Sequence, residues 1–143
     1  GDHETPVSSF SILIPFRNEE LNLPALLESL NALDYPTSQF EILLINDASS
    51  DASESIIKRF KSEHSRLNIS LLNNDKDNGS PKKKAIKKGI AMASFDWIIT
   101  TDADCVVPES WLRILDKKIR EQSPKMIVAP VAYLAKNGFL HHF

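Results

Sequence analysis

Short apolar runs alternate with segments of helical periodicity along most of this chain. Five runs predict buried strands, because each is almost continuously apolar and ends at polar or turn-forming residues. They cover residues 10–16, 40–46, 69–72, 97–101 and 125–131. Four segments between them space their apolar residues as an amphipathic helix does. These predicted helices begin at Pro24, at the capping sequence from Asp51 to Glu54, at Lys82 and at Pro108.

The alternation of strands and helices predicts an α/β fold. Strands that are apolar on both faces are typical of a mostly parallel sheet, because helices cover both of its sides. We therefore expect a Rossmann-like sheet with helices on both faces, in a single domain over residues 1–143. Residues 1–8 are expected to be flexible, and residues 132–143, where the apolar pattern fades, to form an incomplete tail. Since the chain opens on Gly1 and stops without a closing helix, we also expect a piece of a longer protein.

Composition narrows the range of partners. The 143 residues include 17 basic and 19 acidic side chains, for a net charge of −2, so no basic surplus points to nucleic acid. Cys105 is the one cysteine, which excludes a disulfide within the chain and a zinc site built from cysteines. We expect it to be a small core residue. The longest nearly apolar run, residues 126–135, contains Pro130 and is too short to span a bilayer.

Polar residues follow three of the predicted strands. In sheets of this kind, a ligand binds beyond the carboxyl ends of the strands, at the point where the strand order reverses. The polar junctions are residues 15–20, 46–51 and 102–105. If the strand order is 3-2-1-4, the first and third junctions flank this crevice.

Asp102 and Asp104 are the sharpest chemical feature of the sequence. Residues two apart in an extended segment point the same way, so both carboxylates can face one point. Such a pair suits a hard divalent cation such as Mg²⁺ or Mn²⁺. The alternative is a polar turn in which Asp104 caps the following helix. Asp47 also has a functional and a structural interpretation. It could accept a hydrogen bond from a bound base, or it could be a turn residue.

The lysines of the third predicted helix divide into two groups. At about 100° per residue, Lys83, Lys84, Lys87 and Lys88 share one arc, which predicts a solvated face. Lys82 leaves the helix start on the apolar side, where a diphosphate would need a counter-charge and helix N–H donors. The alternative is a lysine that packs its stem and keeps its ammonium in water. The apolar arc consists of Ala85, Ile86, Gly89, Ile90, Met92 and Ala93.

Four blocks together resemble family 2 glycosyltransferases of the GT-A fold. They are residues 11–20, 45–51, 82–89 and 101–104. Each block is weak alone, but the four occur in the family's order and cover most of residues 9 to 112. The resemblance implies a nucleotide-diphospho-sugar donor, and a UDP-sugar is the donor that this family commonly uses. It also implies a bound Mn²⁺ or Mg²⁺, and sugar transfer with inversion.

The resemblance also assigns roles by matching position. The segment with Pro15, Phe16, Arg17 and Glu19 should hold the nucleoside together with Asp47. Lys82 falls on the lysine that precedes the family's Ala-Leu-Asn-like helix. Asp102 and Ala103 should lie near the donor, with Asp102 beside the ribose and metal, and Asp104 should be the direct metal ligand.

Three departures from the family's pattern stand out. Asn46-Asp47 replaces the usual two acids, Ala48 replaces a glycine, and Lys87 stands where asparagine is common. In the resembled family, the catalytic base and the acceptor motifs come well after the metal motif, and the corresponding positions would follow Phe143. We therefore expect no catalytic base in this chain, and binding of donor without transfer.

The later acids do not change this expectation. Glu109, Asp116 and Glu121 belong to one predicted surface helix, and the last two point away from the crevice.

The resemblance implies a saccharide, lipid or protein acceptor and a cytoplasmic location, including the cytoplasmic face of a membrane. Any membrane association would come through parts of the parent protein outside this chain.

Two other functions remain open on the sequence alone. Residues 98–106 also resemble the first motif of haloacid-dehalogenase-type phosphatases, with Asp102 as nucleophile and Asp104 as acid/base. That motif normally begins its domain, whereas here only 39 residues follow Asp104. The second alternative is a domain that binds nucleotide-sugar without catalysis.

Overall fold

The computed structural model describes residues 5–76, 79–122, 131–134 and 140–142. Within them, six strands form one sheet in the order β3-β2-β1-β4-β5-β6. The strands are β1 (Phe10–Phe16), β2 (Phe40–Asn46), β3 (Ile69–Asn73), β4 (Trp97–Thr100), β5 (Val131–Leu134) and β6 (Leu140–His142). The helices are α1 (Leu23–Asn31), α2 (Ser53–Glu63), α3 (Pro81–Met92) and α4 (Trp111–Glu121), with a short 3₁₀ turn at Thr37–Gln39.

Both faces of the sheet are covered, as predicted. Alternate residues of a strand point to opposite faces, and the core divides accordingly. On one face, strand residues such as Ile12 and Leu44 pack with α1, α2 and α4. On the other face, Leu13 and Ile45 pack against Ala85 of α3. The α/β prediction is therefore confirmed, and among the helices that the structure describes, α3 packs on one face and α1, α2 and α4 on the other.

The strand order creates a crevice beside β1. Strand β1 pairs in parallel with both β2 and β4, so the chain winds outward in opposite directions from β1. This is the order 3-2-1-4 that the expected crevice requires. The carboxyl ends of β1 and β4 diverge into loops at this switch point, which is where doubly wound sheets bind ligands.

The end of the chain differs from the sequence prediction. A strand was expected at residues 125–131, but residues 123–130 lie outside the described part, and β5 runs from Val131 to Leu134. Residues expected to form an incomplete tail thus include β5, which pairs in parallel with β4, and β6, which pairs antiparallel with β5. Backbone hydrogen bonds define such pairing, so strands can form where the apolar pattern is weak.

The segment just before β1 is hydrogen-bonded to the rest of the domain. Residues 1–4 lie outside the described part, but Val7 and Ser8 donate their N–H groups to Asp116 Oδ1, at 3.1 and 2.9 Å. The Tyr35 hydroxyl donates to the Ser8 carbonyl, and burial raises the pKa of this phenol. Asp116 is 2% exposed, so it anchors the segment before β1, whereas the sequence placed it on the surface.

In the part of the chain that the structure describes, no helix has the length and apolar character needed to cross a membrane.

Candidate functional site

A cavity of about 190 Å³ opens at the switch point. Three strand ends and the first turn of α3 converge on it. Its walls are formed by Pro15, Phe16, Arg17, Asp47, Pro81, Lys82, Ala85 and Asp102. Six of these eight residues are predicted site residues, which the parallel topology brings together from positions far apart in sequence. The cavity combines two carboxylates with two cationic side chains.

Three predicted site residues do not line this cavity. Glu19 is half-buried, and its N–H donates to Ser53 Oγ at 2.9 Å. Ala103 lies in the turn after β4, is 3% exposed and packs in the core. A contact of Ala103 with a donor would therefore have to come from its backbone. Asp104 is exposed beside the cavity.

The loops after β1 and β2 are joined by hydrogen bonds. Asn18 adopts a left-handed backbone, with φ of 51°. Its N–H donates to Ser49 Oγ at 2.9 Å, and its Oδ1 accepts from the N–H of Ser50 at 2.7 Å. This link fixes the backbone around Arg17 relative to Asp47.

Asp51 belongs to the same link and does not form the predicted capping box. The N-cap of α2 is Ala52, and the Asp51 carboxylate accepts from the N–H groups of Ser53 and Glu20, at 2.9 and 3.1 Å. Partial desolvation opposes ionisation, but these hydrogen bonds outweigh it and lower the pKa of Asp51. Because folding lowers the pKa of Asp51, its ionised carboxylate stabilises the fold at pH values above 3.8, the ordinary pKa of this group. This stabilisation is lost as the pH falls below that value.

The turn after β2 holds Asp47 at the cavity. Asn46 is 4% exposed, and its Oδ1 accepts from the N–H of Ser49 at 3.0 Å. The N–H of Asp47 donates to the Phe16 carbonyl at 2.9 Å. Ala48 has φ of 56°, a conformation that costs a residue with a Cβ roughly 1 kcal/mol. This explains why the resembled family favours glycine at this position.

A cluster of possible metal ligands lies after β4. The carboxylate oxygens of Asp102 and Asp104 and the thiol of Cys105 lie within 4.8 Å of one another. The two carboxylates fit a hard cation such as Mg²⁺ or Mn²⁺, whereas a thiolate is a softer donor. Cys105 is half-exposed, so the expectation of a core cysteine is wrong. The helix that follows has Ser110 as its N-cap, so Asp104 does not cap it.

Lys82 connects the metal cluster to α3. Its Nζ lies 2.9 Å from Asp102 Oδ1. The start of α3 is fixed by Ser80, whose side chain accepts from the N–H of Lys83, and by Pro81 in the first turn. The sequence prediction that Lys82 faces the crevice is therefore confirmed, and in this structure its ammonium neutralises one of the candidate ligands.

The other lysines of α3 correct the helical-wheel prediction. Lys84 Nζ donates to the Asp75 carbonyl at 3.2 Å, and Lys88 Nζ donates to the Asn73 carbonyl. These two lysines hold the end of β3 and are not simply solvated, whereas Lys83 and Lys87 are exposed. On the predicted apolar arc, Ile90 and Met92 are 42% and 56% exposed.

Comparison with known proteins adds to this geometry. A mostly parallel sheet with a charged cavity at its switch point is typical of α/β nucleotide-binding domains, and the fold is that of the GT-A glycosyltransferases. Residues 11–141 match the family model described as "Glycosyl transferase family 2". The chain belongs to this family, which confirms the resemblance drawn from the four sequence blocks.

Individual relatives show how much of a protein this match covers. The chain is 35% identical over 103 residues to the poly-beta-1,6-N-acetyl-D-glucosamine synthase of Staphylococcus epidermidis, covering 72% of this chain and 23% of that protein. The chain likewise spans 18% of the length of Staphylococcus aureus TarS and 41% of the glycosyltransferase AglE of Haloferax volcanii. It therefore corresponds to one part of these enzymes.

Two solved structures share the fold. The Staphylococcus aureus TarS 1-349 structure in complex with UDP-GlcNAc matches with a TM-score of 0.70 and 25% identity, covering 79% of this chain and 31% of TarS. The mannosyltransferase PcManGT of Pyrobaculum calidifontis, in complex with GDP-Man and Mn²⁺, matches with a TM-score of 0.67 and 23% identity. That match covers 78% of this chain and 31% of the mannosyltransferase.

Proposed function

We propose that this chain is the donor-binding part of a metal-dependent, inverting glycosyltransferase that uses a UDP-sugar. One observation carries the proposal: Asp47, Lys82 and Asp102, from three separate elements, line a single cavity at the switch point of a family 2 domain. The presence of UDP-GlcNAc in the TarS complex supports uridine as the base.

The charges around the cavity suit a nucleoside diphosphate. In this proposal the ring N–H of the base donates to Asp47, and the diphosphate lies toward Lys82 and the first turn of α3. Helix N–H groups and an ammonium are both favourable partners for phosphate oxygens. Two phosphates cannot lie beside the Asp102 and Asp104 carboxylates without a cation between them. Mn²⁺ or Mg²⁺ bound there would stabilise the diphosphate as it leaves.

Transfer also needs a base that takes a proton from the acceptor hydroxyl. Among the described residues, the carboxylates that line the cavity are Asp47 and Asp102. Asp102 is paired with Lys82, and Asp47 accepts from Asn74. We therefore propose that the isolated chain binds donor without forming a glycoside.

The family assignment leaves the phosphatase alternative without support.

Calorimetry with the unaltered chain tests the proposal. UDP and GDP are titrated into the protein with Mn²⁺, with Mg²⁺ or with a chelator. We expect UDP to bind with either metal and to lose affinity sharply in the chelator. Equal UDP affinity with and without the chelator would contradict the metal-dependent site, and no binding of either nucleotide would contradict the donor site itself.

Replacing Lys82 by alanine should change two affinities in opposite directions. UDP binding with Mn²⁺ should weaken by roughly tenfold, because one charge-assisted contact to the diphosphate is lost. Mn²⁺ binding without nucleotide should strengthen, because the ammonium 2.9 Å from Asp102 Oδ1 no longer competes for that carboxylate. Calorimetry measures the first effect, and the paramagnetic resonance signal of free Mn²⁺ measures the second.

Matched controls come from the same helix. Lys83→Ala and Lys87→Ala remove the same charge from exposed positions, whereas Lys84 and Lys88 are unsuitable because they hold the end of β3. If all three alanine variants weaken UDP binding equally, the lysines act through a diffuse field, and the specific role of Lys82 is wrong.

A further inference from the structure

A buried asparagine at the end of β3 connects two walls of the cavity, at Asp47 and at Pro81. Asn74 follows the last residue of β3 and is 8% exposed. Its Nδ2 donates to Asp47 Oδ1 at 3.2 Å and to the Pro81 carbonyl at 2.9 Å. Its own N–H donates to the Asn46 carbonyl at 2.8 Å. One side chain thus joins the end of β3, the turn that carries Asp47 and the first turn of α3.

The orientation of this amide follows from its partners. Asp47 and the Pro81 carbonyl can only accept at this position, so the NH₂ group must face them. The Asn74 Oδ1 accepts from the N–H of Asp75 at 3.0 Å. Both hydrogens and the oxygen of the amide are therefore used, and a flipped amide would place like groups together at all three contacts.

We propose that Asn74 is a positioning residue that determines base selectivity by holding the Asp47 carboxylate in one rotation. The inference rests on the proposed nucleotide site. The hydrogen bond engages Oδ1 of Asp47, so Oδ2 is held in a fixed position for a ligand in the cavity that this residue lines. An ionised carboxylate is an acceptor only. Held in this way, it accepts from the ring N–H of uracil and is repelled by the ring-nitrogen lone pair of cytosine.

The contact with the Pro81 carbonyl gives Asn74 a second role, in holding the start of α3. Because the same amide fixes the first turn of α3, the base contact at Asp47 and the phosphate contact at Lys82 are held at a constant separation. A role confined to supporting α3 would affect every nucleoside diphosphate equally. A role in orienting Asp47 affects the base. The two roles can be separated by comparing UDP with CDP.

The test is a comparison of the UDP and CDP dissociation constants, measured with Mn²⁺ for the unaltered chain, Asn74→Ala and Asn74→Asp. We expect the CDP-to-UDP ratio to fall by about tenfold in both variants, the size expected when one hydrogen bond to a charged group is lost. Asn73→Ala is the matched control, since it removes the neighbouring, exposed asparagine side chain. It should leave the ratio unchanged.

The outcomes separate this inference from the proposed function. Equal weakening of UDP and CDP, or an unchanged ratio, would overturn the role of Asn74 in base selectivity while leaving the nucleotide site in place. Absence of UDP binding by the unaltered chain would overturn both. Asn74→Asp keeps the size of the side chain and the acceptor for the Asp75 N–H, but it exchanges the donor that faces Asp47 for an acceptor. Circular dichroism shows which variant is folded, and the ratio measured for a folded variant decides the test.

Discussion

Asp104→Asn is expected to weaken Mn²⁺-dependent UDP binding by about 100-fold, corresponding to about 2.7 kcal/mol. The variant keeps the shape of the side chain but removes its charge from the cluster that also holds Asp102. A divalent cation loses one of two anionic ligands, and the diphosphate loses the cation that separates it from Asp102. Calorimetry with Mn²⁺ measures the effect, and the variant should bind UDP no better with Mn²⁺ than in chelator.

Two controls locate this effect at the metal. Glu109→Gln removes a carboxylate from an exposed position in the following loop, and it should leave the affinity unchanged. Cys105→Ser tests whether the half-exposed thiol of the cluster contributes a ligand. Retention of full metal-dependent binding in Asp104→Asn would show that Asp104 is not a ligand and that the cation is held elsewhere.

The parts of the fold predicted well are those that short-range patterns determine. Strands β1 and β2 begin and end at the predicted residues because each is a continuous apolar run bounded by polar positions. Parallel pairing then brings the ends of distant strands to one edge. That is why the segments after β1 and β4, which contain Arg17 and Asp102, could be assigned to one crevice before any contact was known, whereas Asp47 was assigned to it by the family resemblance.

The residues that sequence reasoning missed act through partners that no periodicity reveals. Asp116 lies on α4, but its partners are the N–H groups of Val7 and Ser8, more than a hundred residues earlier. Asn74 is different, because a signal for it was present. It follows a predicted strand directly, as Asp47 does, and the same rule applied to the third strand would have identified it.

The predicted faces of α3 were partly wrong because the helix wheel carries no information about side-chain size. Gly89 faces the sheet so closely that a Cβ placed there would lie 2.5 Å from Leu13 Cδ2 and 3.4 Å from Ile45 Cδ1. Small residues let the helix approach the strands, and this leaves Ile90 and Met92 of the predicted apolar arc exposed. The close approach is what carries Lys82 to the cavity.

Gly89→Val should therefore both destabilise the fold and disrupt the site. The added methyl groups would overlap Leu13, which is fully buried, so either the core rearranges or α3 moves away from β1 and β2. We expect a loss of about 3 kcal/mol in the free energy of unfolding, at the upper end of the usual cost of overpacking. A displaced α3 would also separate Lys82 from Asp102, so UDP affinity should fall in the protein that remains folded. Urea unfolding and calorimetry measure the two effects.

Ala91→Val is the matched control for this prediction, because it introduces the same side chain two residues later at an exposed position of α3. It should cost about 0.5 kcal/mol, the difference in helix propensity between alanine and valine. Gly89→Ala should fall between the two, since the better helix propensity of alanine offsets part of the overlap with Leu13. If Gly89→Val and Ala91→Val prove equally stable and bind UDP equally well, the close packing of α3 on the sheet does not position Lys82.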